Sequence, residues 1–286
     1  MMAGRLQDKV MLITGAGSGL GREVALLAAE EGAKVVVTDK IEGRIGPVVE
    51  AITSKGGQAA GLKADVTSEA EVEAAVAFAV DTFGVLDVAH ANAGVTVPGQ
   101  GSVPLEDTTL ESWHAVNDVN LVGVFLTIKH AARAMKQTGG GSIVVTSSAG
   151  AITSYPGFGI YCAGKAGVNG LVRAAAYDLG KYGIRTNAVC PTHGMSVNFG
   201  LPPDAPVAGL SYEEAAGPWD KSVAVMPLRI DRPPSLSDNA WPVIFLASDE
   251  SAYMSGVFFP TADGGQHART SIPFPDNWGL DQQTAG

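Results

Sequence analysis

Residues 9–21 read KVMLITGAGSGLG, an apolar run of strand length that passes without pause into a loop with glycine at 15, 17, 19 and 21. GREVALLAAEEG (21–32) follows with helical spacing of its apolar residues, and Gly32 stands where a helix C-terminal glycine belongs. The unit is therefore strand, glycine loop, helix. Its glycines miss the G-x-G-x-x-G spacing, because the third position falls on Leu20 counted from Gly15 and on Arg22 counted from Gly17. They fit T-G-x-x-x-G-x-G through Thr14, Gly15, Gly19 and Gly21. Glycine allows positive φ and close backbone approach, and the helix that follows offers unpaired N–H groups, which together suit an anion. Gly15, Ser18, Gly19 and Leu20 are the expected contacts, with a merely flexible turn as the plain alternative.

Outward from this unit the pattern repeats. KVVVTD (34–39), LDVAHA (86–91), SIVVTS (142–147) and IRTNAVC (184–190) read as buried strands. Helical spacing marks 69–83, 111–136 and 161–183. Strand–helix alternation predicts an α/β fold, a parallel sheet with helices on both faces. Asp39 closes the second strand, where an acid lies beside the adenosine ribose and accepts from both hydroxyls. A 2′-phosphate there would meet a repulsion of about 3 kcal/mol per unit charge at ~5 Å and an effective dielectric of ~20. Lys40 would offset this only by turning toward the ribose. The balance favours NAD over NADP.

The chain has 286 residues, 46% hydrophobic and 17% charged, enough for one large α/β domain or two small ones. A chain of this size buries roughly 75% of its extended surface. Low charge with high apolar content predicts that other subunits cover part of the surface. The formal charge of −10 argues against a nucleic-acid partner. Cys162 and Cys190 are too few for a disulfide framework and read as free thiols in a reducing compartment. The N-terminus MMAGRLQDKV carries no signal-peptide pattern, and no stretch reaches the roughly 18 apolar residues of a membrane span. The expected location is the cytoplasm, with no membrane partner and no metal.

YCAGK at 161–165 decides the chemistry. Alone, a tyrosine and a lysine four apart mean little. Here they follow TGAGSGLG (14–21), DV (65–66), NAG (92–94), Asn120 and the serine of TSSAG (146–150) in order. This succession resembles the short-chain dehydrogenase/reductase family over about residues 6–265. The resemblance implies a single Rossmann-type, doubly wound parallel sheet of about seven strands in a domain spanning 1–265. It implies a catalytic set of Asn120, Ser148, Tyr161 and Lys165, with Ser148 chosen over Ser147 because it stands thirteen residues before the tyrosine. It also implies that Asp65 and Val66 border the adenine, that Asn92, Ala93 and Gly94 line the cofactor cleft, and that the subunits form a homotetramer.

Hydride transfer between a secondary alcohol and a nicotinamide requires a base for the hydroxyl proton. A phenol titrates near ~10, too high for that task near neutrality. Positions 161 and 165 share a helix face, and an ammonium ~5 Å away at an effective dielectric of ~20 would lower the phenol by roughly two pKa units. Lys165 would also hold the nicotinamide ribose, Ser148 would orient the substrate oxygen, and Asn120 would hold a water passing protons to solvent.

After the sixth strand the family pattern Pro-Gly-x-Ile/Val-x-Thr is replaced by Pro191-Thr192-His193-Gly194-Met195-Ser196. Pro191, Thr192, Gly194 and Ser196 remain expected cofactor contacts. His193 reads either as a substrate or carboxamide contact or as a structural histidine. Residues 191–235 are rich in Pro and Gly yet carry Met195, Phe199, Leu201 and Trp219, which predicts a lid over an apolar pocket. The expected substrate contacts are Ser148, Tyr155, His193, Met195, Phe199 and Trp219, and residues 266–286 read as a docking extension. The sequence thus predicts an NAD-dependent dehydrogenase or ketone reductase for an apolar cyclic or aromatic alcohol. An NADPH-dependent carbonyl reductase and a non-catalytic dinucleotide-binding protein are the alternatives.

Overall fold

The computed structural model describes residues 4–96, 103–192, 228 and 230–262. His193, Gly194, Met195, Ser196, Phe199 and Trp219, most of the lid at 191–235 and the extension at 266–286 lie outside the described residues. Seven strands form one sheet: β1 (Val10–Thr14), β2 (Lys34–Asp39), β3 (Gln58–Lys63), β4 (Val88–Ala91), β5 (Gly141–Thr146), β6 (Ile184–Pro191) and β7 (Phe258–Thr261). Their order is β3-β2-β1-β4-β5-β6-β7, and every pairing is parallel. The order reverses between β1 and β4, the switch point where doubly wound sheets open a crevice at their carboxyl ends.

Among the described residues, seven α-helices cover the sheet: α1 (Gly19–Glu30), α2 (Ile45–Thr53), α3 (Glu69–Phe83), α4 (Leu110–Asn117), α5 (Val124–Thr138), α6 (Gly159–Gly180) and α7 (Leu236–Ala247). Successive strand residues point to opposite faces, so one set of strands feeds two cores. Met11, Ile13, Val35, Val37, Val88 and Val144 pack under α1, α2 and α7. Leu12, Val36, Ala89, Ile143 and Val145 pack under α3, α5 and α6. The boundaries follow local chemistry. At α3, the Ser68 side chain accepts from Glu71 N, and Gly84 ends the helix at φ 87°.

The sequence missed β3 and β7 by apolar pattern. QAAGLK lies at the sheet edge with its residues exposed or half-buried, and FFPT is four residues with a proline. The continuous helix expected over 111–136 is also corrected. It breaks at a π-helical turn, Asp118–Gly123, between α4 and α5. Within that turn Asn120 pairs with the backbone of Val95 in both directions. Its Nδ2 donates to Val95 O and its Oδ1 accepts from Val95 N, each at 2.8 Å. Apolar spacing carries no trace of such a pairing.

Candidate active site

The glycine loop runs from the end of β1 to the start of α1. Gly15 and Gly19 adopt φ of 63° and 53°, the left-handed region that other residues avoid. Ala16 N donates to Thr38 O at 2.8 Å. Gly17 N donates to Asp39 Oδ2 at 3.0 Å, and Ile41 N donates to Asp39 Oδ1 at 2.9 Å. Asp39 is therefore a buried builder of the loop, which its expected ribose role did not foretell. A Cβ on Gly17 would lie 2.7 Å from Asp39 Oδ2 and 2.6 Å from Arg44 Cβ. A Cβ on Gly21 would lie 2.3 Å from Gly15 O. Gly17, a free position in the sequence pattern, is thus as constrained as the glycines that define it. A strand end, a main-chain cradle that a side chain would fill, and a helix N-terminus fit the pyrophosphate of a dinucleotide.

Lys40 turns away from this cradle, as an inward Asp39 required, and pairs with Asp65 Oδ2 at 2.7 Å. Burial raises the Asp65 carboxyl, but hydrogen bonds from Lys40 and Thr67 outweigh it and hold the group below its ordinary range. Val66 is buried beside the π-helical turn, where a Cβ on Gly123 would lie 2.7 Å from its Cγ2.

Asn92 ties the loop to the centre of the sheet. Its Nδ2 donates to Thr14 O and Gly15 O at 3.0 and 3.3 Å, while Asn92 N and Ala93 N both donate to Thr14 Oγ1. Asn92 Oδ1 must then accept the Thr146 hydroxyl proton at 3.1 Å. Thr146 Oγ1 has no further proton to give, so the His90 Nε2 lying 2.9 Å away carries the hydrogen and donates it. His90 is wholly buried, and burial pushes it down to about 3, which keeps it neutral. Nothing in the apolar pattern of LDVAHA marks His90 for this role.

Thr146 has a second connection, since its carbonyl accepts from Lys165 Nζ at 2.7 Å. Lys165 and Tyr161 lie in the first two turns of α6, and both are buried. Lys165 Nζ is 5.8 Å from the centre of the Tyr161 ring. Ser148 follows β5, hydrogen-bonds Tyr161 and accepts from Gly150 N at 3.0 Å. Ser147 instead donates to Asn169 Oδ1 at 2.7 Å. Gly94 lies between Asn120 and Lys165, for a Cβ there would be 3.4 Å from Asn120 Oδ1 and 3.7 Å from Lys165 Nζ. Tyr155 extends the cluster through edge-on aromatic contacts, Tyr155 to Phe158 and Phe158 to Tyr161, each with ring centres 6.4 Å apart. All four candidate catalytic residues thus gather at the carboxyl edge of β4 and β5. Pro191 and Thr192 end β6 and begin the connection after it, with Thr192 N donating to Thr261 O at 3.3 Å.

The protonation balance differs from the one expected. Burial pushes the Tyr161 phenol above its ordinary range, and the hydrogen bond from Ser148 offsets only part of that. Burial also pushes Lys165 down to about 8. The cost of taking phenol and amine out of water, which helix spacing does not reveal, is the larger effect here.

Residues 9–196 match the family model for short chain dehydrogenases. Cyclohexanol dehydrogenase of Acinetobacter sp. (strain SE19) is 37% identical over 258 residues, 90% of this chain and 94% of the relative. The crystal structure of levodione reductase superposes with a TM-score of 0.80 at 34% identity, covering 93% of this chain and all of that one. A 7α-hydroxysteroid dehydrogenase, solved with NADH and 7-oxo glycochenodeoxycholic acid, gives 0.77 at 32% identity over 91% and 95% of the two chains. The matched family model and these relatives, together with the glycine loop and the buried Ser–Tyr–Lys cluster, show that the chain belongs to the short-chain dehydrogenase/reductase family of oxidoreductases.

Proposed function

We propose that this chain is an NAD-dependent oxidoreductase that interconverts a secondary alcohol and its ketone on an apolar ring compound. The observation that carries the reading is the convergence of Ser148 on Tyr161 above a buried Lys165, beside a cradle built for a dinucleotide. When bound, the dinucleotide supplies the hydride acceptor or donor. Tyr161 takes the hydroxyl proton in oxidation and returns it in reduction. Ser148 orients the substrate oxygen through the hydroxyl it shares with Tyr161. Lys165, which donates to Thr146 O, favours the phenolate whenever it is protonated and would hold the ribose of a bound dinucleotide. Asn120 shapes the path by which protons leave toward solvent.

The ring preference is supported by the Tyr155–Phe158–Tyr161 aromatic row and by two relatives, a cyclohexanol and a hydroxysteroid dehydrogenase. Asp39 supports NAD, because its carboxylate stands where a 2′-phosphate would be repelled. Arg44, beside Gly17, favours the second reading, an NADPH-dependent carbonyl reductase. Cyclic secondary alcohols offered with NAD or NADP, with dinucleotide reduction followed by absorbance, test both readings. Folded protein that binds a dinucleotide yet reduces it with none of them would remove the proposal.

We also infer a homotetramer. Trp113 on α4, Val122 in the π-helical turn and Phe125 on α5 are exposed apolar groups of the kind a second copy would cover. Light scattering that returns a stable monomer at micromolar concentration would refute it.

A further inference from the structure

Tyr161 and Lys165 ride on α6, while Asn120 rides on the π-helical turn after α4. Their relative placement therefore depends on how those two elements meet. Asn117, the last residue of α4, makes the contact. Its Nδ2 donates to Ile160 O at 3.3 Å, one residue before the tyrosine. The residue is buried, and among the described residues its Oδ1 has no hydrogen-bond partner. That oxygen fills the space beside Gly164, where a Cβ would lie only 1.9 Å from Oδ1 and 3.1 Å from Cγ of Asn117. Ordinary contact between heavy atoms is about 3.5 Å, so no residue but glycine fits at 164 while Asn117 holds this position. Farther along the same seam, a Cβ on Gly167 would lie 3.1 Å from Leu121 Cδ1, a looser approach.

A buried carbonyl oxygen without a partner is uncommon and carries a cost. Plain helix packing does not call for one, since an apolar side chain would fill the same notch without it. The location gives a reason. Gly164 sits between Tyr161 and Lys165 in YCAGK, and Asn117 sits three residues before Asn120. We propose that Asn117 and Gly164 are a positioning pair, an amide seated in a glycine notch that sets the distance between the turn carrying Asn120 and the helix carrying Tyr161 and Lys165. The inference rests on the reading of Tyr161 and Lys165 as the proton-transfer pair. A methyl at 164 must either part the two elements or swing the amide away from Ile160 O. Either movement shifts reacting groups in a packed interior that does not absorb it.

The test is a double-mutant cycle with Gly164→Ala, Asn117→Ala and both together. Gly164→Ala should lower kcat/KM by about 10²-fold, mostly through kcat, the scale of a misplacement near an ångström. Its dinucleotide affinity should fall much less than its rate, because the glycine loop is built elsewhere. Asn117→Ala should cost less than about tenfold, and the double variant should return to that level, since the methyl then fits the vacated space. The pH at which the Gly164→Ala oxidation rate rises should also shift, which a change in stability alone would not produce. Single effects that multiply in the double variant would overturn the proposal, as would a Gly164→Ala enzyme within about twofold of wild type. Should Gly164→Ala fail to fold, the double variant decides: folded and active upholds the pair, equally defective overturns it. Tyr161→Phe assayed alongside separates the two claims. Its inactivity upholds the catalytic reading whatever the cycle returns, and its activity overturns that reading and this proposal with it.

Discussion

On the β1–β2 side of the switch point the candidate site is made of main chain: the positive-φ glycines 15 and 19, the Gly17 and Ile41 amides on Asp39, and the start of α1. On the β4–β6 side it is made of side chains withdrawn from water: Asn120 at 0% exposure, Lys165 at 3%, Ser148 at 6% and Tyr161 at 7%. The first half works through position and the second through environment. A main-chain cradle presents fixed dipoles whose strength does not depend on a titration. A buried phenol and amine have protonation states that are set by the solvent they have lost. Breaking the two halves should therefore look different in kinetics.

The largest expected effect is on the side-chain half. Tyr161→Phe should reduce turnover by about 10²–10⁴-fold and leave dinucleotide binding close to wild type, since the cradle contains no part of the phenol. Lys165→Met should damage both rate and affinity. It should also move the rising limb of alcohol oxidation to higher pH, because a nearby ammonium favours the ionised phenol. Steady-state rates across pH, with binding measured separately, check both. A Tyr161→Phe enzyme retaining more than about a tenth of the rate would end the base assignment.

The contrast also governs what could be read in advance. TGAGSGLG and the acid at the end of KVVVTD were legible because a main-chain cradle is encoded locally, by residues that must be glycine or must be acidic at one place. YCAGK was legible as a spacing on one helix face. The direction of the Tyr161 shift was not, because it depends on what seals the phenol from water. The π-helical turn at 118–123 is not legible in apolar spacing, and the pairing made within it, Asn120 with the backbone of Val95, spans 25 residues. Gly17 and Asn117 were passed over for a related reason. Their constraint is a neighbour's atom, Asp39 Oδ2 in one case and the Gly164 notch in the other, and not a motif position.

A smaller effect is expected on the main-chain half. Asp39→Ala removes an acceptor that serves both the loop and the proposed ribose site. Hydrogen bonds to a charged group contribute about 1.5–3 kcal/mol, so NAD affinity should fall by roughly 10–100-fold. The comparison of cofactors divides the two roles. If the carboxylate chiefly selects the ribose, NADP kinetics should improve as NAD kinetics worsen. If it chiefly builds the loop, both should worsen together. A wild-type enzyme with the higher kcat/KM for NADP would contradict the assignment of Asp39 as selector.

The smallest effect should come from His90, which joins the halves without belonging to either. Its Nε2–H directs the Thr146 hydroxyl to Asn92, whose amide holds the loop, while the Thr146 carbonyl holds Lys165. Its folded-state value of about 3 lies below the ordinary 6.5 because burial disfavours the imidazolium. The unfolded chain therefore binds the proton first as pH falls. Stability from this group is complete above about 6.5 and is lost progressively as pH drops toward 3. The slope reaches at most about 1.4 kcal/mol per pH unit, or about 3 °C in Tm for a domain of this size. Asp65 and Asp238 are also held below their ordinary range, so their losses begin only near pH 4 and below. His90→Gln keeps an N–H at the reach of Nε2 and cannot titrate, so its Tm should fall less steeply than wild type between pH 6.5 and 4.5. The other histidines are common to both proteins, and the difference between the two curves isolates His90. Rates near pH 7.5 should change little, because the Thr146 hydroxyl is still directed to Asn92. Parallel Tm curves would mean that the imidazole is not held neutral by the fold, and the tautomer deduced from Thr146 would lose its support.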